Sequence, residues 1–312
     1  MTLFYDLAAI GDINLDIILI VSGIPEADEE IRVLSLGEFP GGDAANVAVA
    51  FALLGGKSQL FGAVGKDLAG MKLLELLSKK GVNISRVIVV PHIPTGQVVS
   101  IVDANRQRRL LHWRGANAER SLTEEDLYLL RGAKCVYVAD PLPSTMRALA
   151  DWYSRGELAA SLAMDPGAGG VSNGIDFLRP LLRFTTILFL NRLEAQKLTN
   201  QDDIVKAGKF LTKLCPLVVI KLGENGAIAF CEAEYVYAPS FKVPAIDSTG
   251  CGDAFNAAFL YQWLNNHDLQ IALKWGNAAG AVVVQKIGAQ MPSLEEVLSL
   301  VERSADGTVE TF

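Results

Sequence analysis

The sequence is poor in basic charge and in cysteine. Its 28 Lys and Arg residues are outnumbered by 35 Asp and Glu residues, giving a formal net charge of -7 over 312 residues. A general basic surface for nucleic acid or anionic lipid is therefore disfavoured. The four cysteines lie far apart, without Cys-x-x-Cys or a histidine at metal-ligand spacing: Cys135, Cys215, Cys231 and Cys251. This usage is typical of a reducing compartment, so we expect a cytoplasmic protein without a disulfide or structural zinc site.

A long apolar run is also missing. No uninterrupted apolar stretch approaches the roughly 18 residues that a membrane-spanning helix needs. Asp6, Asp12 and Asp16 interrupt the apolar N-terminal stretch, and no basic flank precedes it, so a signal peptide is not expected. We therefore expect neither a membrane nor a nucleic acid as a partner.

Apolar material is plentiful, since hydrophobic residues make up 50% of the chain. Short apolar runs alternate with helical patterns, which is typical of an α/β fold with a mainly parallel sheet. The predicted strands are Leu7–Ile10, Ser58–Val64, Cys135–Ala139, Leu162–Asp165, Ile187–Leu190, Leu217–Leu222 and Ala227–Phe230. The predicted helices are Ala44–Leu54, Gly70–Lys80, Thr145–Arg155, Glu194–Leu198, Ile204–Lys213, Ala254–Asn265, Leu269–Gln285 and Leu294–Arg303, with a further helix after Thr123 that ends before Gly132. Ser293 followed by Glu296 predicts a capping box at the last of these. No linker or repeat supports dividing the chain, so we expect one domain over residues 1–312.

Two segments interleave polar with apolar residues instead of following this alternation. Ile13–Phe39 and Thr95–Leu111 have the pattern of a half-exposed sheet. We predict that residues of about 13–40 and 95–114 form a small separate sheet, a lid that excludes water from a site beneath it.

The strongest chemical signal is the stretch from Ala245 to Phe255, in which Gly250-Cys251-Gly252-Asp253 leads into an apolar helical pattern. Glycines before a helix let backbone N–H groups converge, and the helix N-terminus adds partial positive charge, so an anion can bind there. Asp253 would stand beside that anion, where it could accept a proton from an attacking hydroxyl. A simple helix cap preceded by a turn is the alternative interpretation, and this motif alone does not choose between them.

Seven motifs follow one another over nearly the whole chain: Gly11–Asp16, Phe39–Ala48, Leu54–Gly56, Gly62–Gly70, Asn191–Glu194, Lys221–Gly226 and Asp247–Phe255. In sequence and order they resemble the motifs of the ribokinase-like carbohydrate kinases, also called the PfkB family. Asp247–Phe255 is similar to the family's C-terminal signature, with Ser248 in place of Thr, and Phe39–Ala48 is similar to its N-terminal glycine signature.

This resemblance implies a three-layer α/β/α domain with a β-sheet lid, which transfers the γ-phosphoryl group of ATP to a sugar hydroxyl. Asp253 matches the catalytic base, and Gly250, Cys251 and Gly252 match the anion hole. The resemblance also assigns the nucleotide site. Asn191 and Glu194 would organise Mg²⁺ and the ATP phosphates through water, and Lys221, Gly223 and Gly226 would contact the nucleotide. Asn277, with its small neighbours Ala278 and Ala279, would form a wall for the adenine. Asp247 and Thr249 resemble the monovalent cation site of many members, which would take K⁺.

On the substrate side, the resemblance assigns Asn14, Asp16, Gly41, Gly42 and Asn46 to sugar hydroxyls, and Asp12 and Asp43 could join them. Asp43 differs both from the Lys of ribose-specific members and from the Ala-Pro of many fructokinases, so neither sugar is favoured. Arg114 resembles a lid arginine of members that take ketohexoses or sugar acids, where it could bind a carboxylate.

Several alternatives stay open on the sequence. A nucleoside kinase or a phosphosugar kinase belongs to the same family, and Arg106, Arg108, Arg109 and Arg114 could bind a second phosphate. A non-catalytic sugar or nucleotide sensor would be favoured by loss of Asp253, which is present. An oxidoreductase is disfavoured because no Gly-x-Gly-x-x-Gly follows the first strand. The lid could also form a homodimer interface.

Overall fold

The computed structural model describes residues 4–105, 107–232, 234–303 and 310–311. Within these ranges the strands are β1 Tyr5–Ile10, β2 Asn14–Val21, β3 Val33–Gly41, β4 Ser58–Phe61, β5 Ala63–Gly65, β6 Ile88–Val90, β7 Gly96–Val102, β8 Arg108–Trp113, β9 Ala133–Ala139, β10 Ser161–Asp165, β11 Ile187–Asn191, β12 Leu217–Lys221, β13 Ala227–Cys231, β14 Glu234–Ala238 and β15 Glu310–Thr311. The helices are α1 Asp43–Leu53, α2 Leu68–Lys79, α3 Glu124–Leu130, α4 Pro143–Ser154, α5 Gly167–Asn173, α6 Ile175–Leu182, α7 Arg192–Thr199, α8 Ile204–Leu211, α9 Cys251–Asn266, α10 Leu269–Val283 and α11 Leu294–Arg303. Short 3₁₀ turns span Gly115–Glu119 and Gly223–Asn225.

The central sheet of the described chain has the order β15-β14-β13-β12-β11-β10-β9-β1-β4. Strands β4, β1 and β9 to β12 are parallel, whereas β13, β14 and β15 add an antiparallel edge. The parallel strands are continuous apolar runs because both of their faces are buried. The predicted mainly parallel sheet is confirmed.

Helices cover both faces of this sheet. Tyr137 of β9 packs into a core with α1, α9 and α10, and its neighbour Val138 packs into a second core with α4, α6 and α8. This alternation follows from the two-residue period of a strand. The structure is therefore a three-layer α/β/α fold, as expected.

The lid segments form a separate four-stranded sheet within the described residues, in the order β3-β2-β7-β8. Asn117 fixes this sheet to the body: its Oδ1 accepts from Ile13 N at 2.9 Å, and its Nδ2 donates to Ile13 O at 3.1 Å and to Asn14 Oδ1 at 2.8 Å. The segments predicted to pair do pair. Their movement as a lid stays a prediction.

Helix starts agree well with the sequence. Glu296 Oε2 accepts from Ser293 N at 2.8 Å, and Ser293 Oγ accepts from Glu296 N at 3.3 Å, so the predicted capping box is confirmed. The helix predicted to end before Gly132 ends at Leu130.

Several features differ from the predictions. The predicted strand Ser58–Val64 is two strands, and the second of them leaves the central sheet to pair with β6. Helices α5 and α6 were not predicted, because α5 has the sequence Gly-Ala-Gly-Gly-Val-Ser-Asn, which has little intrinsic helix propensity. Strand β6 and the edge strands β14 and β15 were also missed.

Among the helices of the described chain, none combines the length and the apolar character needed to cross a bilayer.

Candidate active site

The candidate site lies at the carboxyl ends of the parallel strands, where ligands of open α/β sheets usually bind. Strands β10, β11 and β12 end there at Asp165, Asn191 and Lys221, and α9 begins beside them. The lid meets the same edge, since Arg108 of β8 donates to Thr249 Oγ1 at 2.8 Å. The structure thus brings the glycine motif, the strand ends and the lid together at one cleft.

The start of α9 presents backbone amides to this cleft. Gly250 precedes the helix with a φ of 76°, a left-handed conformation that suits glycine. The N–H of Cys251 donates to Ser248 O at 3.2 Å, whereas those of Gly250, Gly252 and Asp253 have no acceptor among the described residues. These three amides and the helix dipole can bind an anion.

Cys251 contributes little chemistry of its own. Burial, together with the nearby carboxylates of Asp247 and Asp253, raises the pKa of its thiol to about 12. The thiol therefore stays protonated at neutral pH and is no nucleophile.

Asp253 lies in the first turn of α9, as the motif predicts. Its Oδ2 accepts a hydrogen bond from Asn46 Nδ2 at 2.8 Å, so Asn46, which the resemblance assigns to the sugar, orients this carboxylate. Burial and the neighbouring Asp43 raise the pKa of Asp253 well above its ordinary value, although Asn46 and Lys221 act in the opposite direction. A raised pKa makes the ionised carboxylate a stronger proton acceptor.

Asp43 begins α1, the helix that also carries Asn46. Its side chain is exposed within the cleft, yet reduced hydration between the cleft walls and the carboxylates of Asp165, Asp140 and Asp12 raise its pKa to about 7. The negative charge concentrated here favours a cation as part of the bound ligand.

Lys221 brings positive charge to the amides of α9. Its Nζ donates to Asp165 Oδ2 at 2.9 Å. A Cβ atom added at Gly252 would lie 3.4 Å from that Nζ, so the ammonium stands close to the helix start. Burial lowers the pKa of Lys221, but the carboxylates of Asp165, Glu194 and Asp253 outweigh it and raise the pKa overall, so the side chain stays charged.

The turn that follows Lys221 needs its glycines. Gly223 and Gly226 have φ values of 64° and 83°. A Cβ atom at Gly226 would lie 2.1 Å from Ala238 O, because the turn packs directly on the end of β14. These two glycines therefore shape the loop beside the cleft.

Asn191 and Glu194 form a complete capping box at the start of α7. Asn191 Oδ1 accepts from Glu194 N at 2.9 Å, and Glu194 Oε2 accepts from Asn191 N at 2.8 Å. Burial and the charge of Asp165 raise the pKa of Glu194, while Lys221 acts against them. One carboxylate oxygen of Glu194 is not used by the box.

Asp16 faces the cleft from the lid strand β2. Its Oδ1 is buried and receives no hydrogen bond from any described residue. Burial raises the pKa of Asp16 to about 6, with Arg108 and His112 opposing and Asp247 reinforcing this shift. Gly41 is required beside it, since a Cβ atom there would lie 2.1 Å from Asp16 Oδ1.

The neighbouring Gly42 is equally constrained. It has a φ of 97°, and a Cβ atom there would lie 2.2 Å from Asp12 O. The two glycines therefore let the backbone of β3 and α1 approach the lid strand closely.

Arg114 is held by the carboxylates of Asp12 and Asp140. One guanidinium nitrogen lies 3.3 Å from Asp12 Oδ1, and another donates to the carboxylate of Asp140 and, at 3.0 Å, to Asp140 O. His112 Nε2 lies 3.5 Å from Asp12 Oδ2, and the hydrogen bond to Asp12 raises the pKa of His112. Asn14, which is buried, accepts from Asn117 as described above.

Asp247 accepts three hydrogen bonds from the protein. Its Oδ1 accepts from Thr249 N at 3.0 Å and from Thr249 Oγ1 at 2.7 Å, and its Oδ2 accepts from Gly288 N at 2.9 Å. Arg108 Nη1 lies 3.8 Å from Asp247 Oδ1. Burial acts to raise the pKa of Asp247, but these donors outweigh it and the pKa is lowered.

The side chain of Asn277 contacts the backbone at the end of β14. Its Nδ2 donates to Ala238 O at 2.9 Å and to Pro239 O at 3.1 Å. In this structure the side-chain amide fixes the end of β14.

Residues 5–296 match the family profile described as pfkB family carbohydrate kinase. The chain belongs to this family. This kinase is 30% identical to the ATP-dependent ribose-1-phosphate kinase of Halopiger xanaduensis, over 95% of this chain and 98% of that relative. It is 26% identical to a nucleoside kinase of Methanothermobacter thermautotrophicus, over 91% of each chain. Its structure resembles Arabidopsis thaliana ribokinase complexed with ribose and ATP, with a TM-score of 0.86 and 26% identity, over 97% and 99% of the two chains. The kinase is thus an ATP-dependent phosphotransferase that acts on an alcohol group.

The donor set of the kinase fits Mg²⁺. Glu194 and Asp43 place carboxylates near Lys221, and Glu194 keeps an oxygen outside its capping box. Such oxygen ligands, reached through water, suit a cation that keeps much of its hydration shell.

The side chains predicted for K⁺ already have protein partners. Both carboxylate oxygens of Asp247 already accept from protein donors, and the hydroxyl of Thr249 donates to one of them. The guanidinium of Arg108 supplies positive charge at the same place.

Sequence reasoning missed two buried polar residues of the site, Asn256 and Tyr137. Asn256 donates to Asp165 Oδ2 at 2.9 Å and to Tyr137 OH at 3.1 Å. Its spacing of three residues from Asp253 on one helix was the available signal, because residues three apart share a helix face. Tyr137, in an apolar strand, carried no signal.

Proposed function

We propose that this kinase transfers the γ-phosphoryl group of ATP to a hydroxyl of a small neutral sugar. The observation that carries the proposal is the buried Oδ1 of Asp16, which lacks a donor among the described residues. A sugar hydroxyl can supply that donor, and a carboxylate is a strong acceptor for it. A sugar acid is less well suited, because Arg114 is already neutralised by Asp12 and Asp140.

The residues support an in-line transfer. The sugar hydroxyl, oriented by Asp16, passes its proton to Asp253 as its oxygen bonds to the γ-phosphorus, while the bond from that phosphorus to the β–γ bridging oxygen breaks and ADP leaves. The amides at the start of α9 and the ammonium of Lys221 hold the charge that develops on the phosphoryl oxygens. Bound Mg²⁺ would neutralise charge on the ATP phosphates near Glu194 and Asn191. The turn at Gly223 and Gly226 borders the nucleotide.

A phosphosugar is the second candidate acceptor, and the similarity to a ribose-1-phosphate kinase favours it. Four arginines are candidates for binding a second phosphate. Arg106 lies outside the described residues, and Arg109 pairs with Asp103 at 3.1 Å. Arg114 is held by carboxylates, so Arg108 is the arginine best placed to meet a second phosphate.

An ATP-consumption screen tests the proposal. Neutral pentoses and hexoses, sugar acids, ribose 1-phosphate and nucleosides are compared with purified enzyme and with Asp253→Asn. We expect a neutral sugar to give the highest kcat/KM, and Asp253→Asn to lose about 10² to 10⁴ in turnover with little change in ATP affinity. Highest activity on ribose 1-phosphate would select the second candidate. Unchanged turnover of Asp253→Asn would remove Asp253 as the base.

The lid also supports a homodimer. Leu36, Leu111 and Trp113 are exposed and share the face of the lid sheet that points away from Asp16. An apolar face of this kind suits a second copy of the chain. Light scattering should show a dimer that Leu36→Glu converts to a monomer, and a monomeric wild-type protein would contradict the interface.

A further inference from the structure

A closed ring of hydrogen bonds lies directly behind the anion-binding amides. Lys221 Nζ donates to Asp165 Oδ2 at 2.9 Å and to Asn256 Oδ1 at 3.1 Å. Asn256 Nδ2 closes the ring by donating to the same Asp165 Oδ2 at 2.9 Å. Its remaining N–H reaches Tyr137 OH at 3.1 Å, so Asn256 has no freedom to turn.

The ring is shielded from solvent and joins three parts of the fold. Asn256 and Tyr137 have no exposed surface, and Asp165 is 8% exposed. Asp165 ends β10, Lys221 ends β12 and Asn256 lies one turn after Asp253 on α9. A shift of either strand end against α9 would break the ring, so the ring fixes the ammonium relative to the helix start.

The ring leaves one N–H donor of Lys221 free. An ammonium group has three N–H donors, and the ring occupies two of those of Lys221. The third has no acceptor among the described residues. Because the Nζ would lie 3.4 Å from a Cβ atom at Gly252, this donor is beside the amides that bind the anion.

We propose that Asp165 and Asn256 are positioning residues, which hold the ammonium of Lys221 so that its third N–H donates to the transferring phosphoryl group. This inference rests on the proposed function, since it assigns that group to the amides of α9. Lysine alone is a flexible point charge. Fixing it in advance removes the reorganisation that would otherwise oppose stabilisation of the developing charge.

The charges facing Lys221 are consistent with this role. Asp165, Glu194 and Asp253 all favour its protonated form, and burial opposes them. Asp43, on α1, also interacts with Lys221. Asp165 is the partner in direct contact, so its removal should affect Lys221 more than loss of any other single carboxylate.

A double-mutant cycle between Asp165→Asn and Lys221→Met tests the proposal. We expect each single variant to lower kcat by about tenfold to a hundredfold, with the KM for the sugar changed less than about threefold, and the double variant to match Lys221→Met. A structural role would instead lower stability without this non-additivity. Free energies of unfolding are therefore measured for every variant.

Asp6→Asn is the matched control, because Asp6 pairs with Lys134 at 2.8 Å at the opposite end of the same sheet. It should leave kcat unchanged. If Asp165→Asn does not fold, Asn256→Ala replaces it in the same cycle, with an expected loss of about fivefold to tenfold.

Two results would overturn the inference. One is a kcat of Asp165→Asn within about threefold of wild type. The other is that Asp165→Asn lowers kcat by the same factor in the Lys221→Met background as in the wild type. Asp253→Asn, assayed in parallel, separates this failure from failure of the proposed function. If that variant is inactive, only the positioning role is wrong.

Discussion

Replacing Asp16 by Asn should raise the free energy of unfolding and weaken the binding of the sugar. Burial raises the pKa of Asp16 from its ordinary value of 3.8 to about 6. The native state therefore disfavours the charged carboxylate, and a rise of about two pH units corresponds to about 3 kcal/mol. The buried amide of Asn still carries a desolvation cost, so we expect about 2 kcal/mol of added stability at pH 8.

The pH dependence of this gain has a definite sign. Below pH 3.8 the carboxyl is protonated in both the folded and the unfolded state, so it costs nothing. As the pH rises toward about 6, the unfolded chain ionises while Asp16 in the folded state keeps its proton, and wild-type stability falls relative to the variant. Above that pH the difference is constant. Arg108 and His112 limit the cost of the charge, and Asp247 adds to it.

Denaturant unfolding of wild type and Asp16→Asn between pH 4 and pH 8, without sugar, measures this difference. The exposed Asp202→Asn is the control for the chemical change itself. In the assay, Asp16→Asn should raise the KM for the sugar by about tenfold to a hundredfold, because a charge-assisted hydrogen bond is lost. A variant less stable than wild type at pH 8, or a gain that does not shrink on acidification, would refute the reasoning.

Three further predictions concern the glycine motif, the adenine wall and the cation. Gly250→Ala should lower the free energy of unfolding by about 2 to 4 kcal/mol and remove most of the activity, because its Cβ would lie 2.7 Å from Ala289 Cβ at a φ of 76°. The control Gly156→Ala, with a φ of 69° and open space around it, should lower stability by about 1 kcal/mol and leave activity unchanged. Asn277→Ala should cost about 1 to 3 kcal/mol by removing the donor to the buried carbonyl of Ala238 and to the part-buried carbonyl of Pro239, with kcat nearly unchanged. A rise in the KM for ATP would instead place Asn277 at the nucleotide. Replacing K⁺ by tetramethylammonium should leave kcat within about twofold, since the guanidinium of Arg108 already places positive charge beside Asp247 and Thr249. Strong activation by K⁺ would disprove this.

The sequence predicted the parts of the fold that depend on local pattern. Continuous apolar runs such as Ile187–Leu190 became buried strands, and Ser293 with Glu296 became a helix start. Helix α5 was missed because Gly167–Asn173 is helical through its tertiary surroundings, not through its own propensity. No local pattern could show that β5 would leave the central sheet.

The same difference between local and long-range structure separates the residues of the site. Asp253 and Gly250 stand where their motif predicts, because a glycine turn before a helix is a local structure. The roles of Asn46 and Asn277 could not be read from the chain, since each depends on a partner more than thirty residues away. The ring behind the amides needs three distant segments at once, which only the folded structure provides.

The contacts between the lid and the body have a kinetic consequence. Arg108 meets Thr249, and Arg114 meets Asp12 and Asp140, so charged groups contribute to holding the lid against the body. The lid opening that we predict for sugar entry and product release would separate these groups and hydrate them. Because dissolved salt weakens attraction between partly exposed charges, higher ionic strength should speed opening and, where product departure limits turnover, raise the rate.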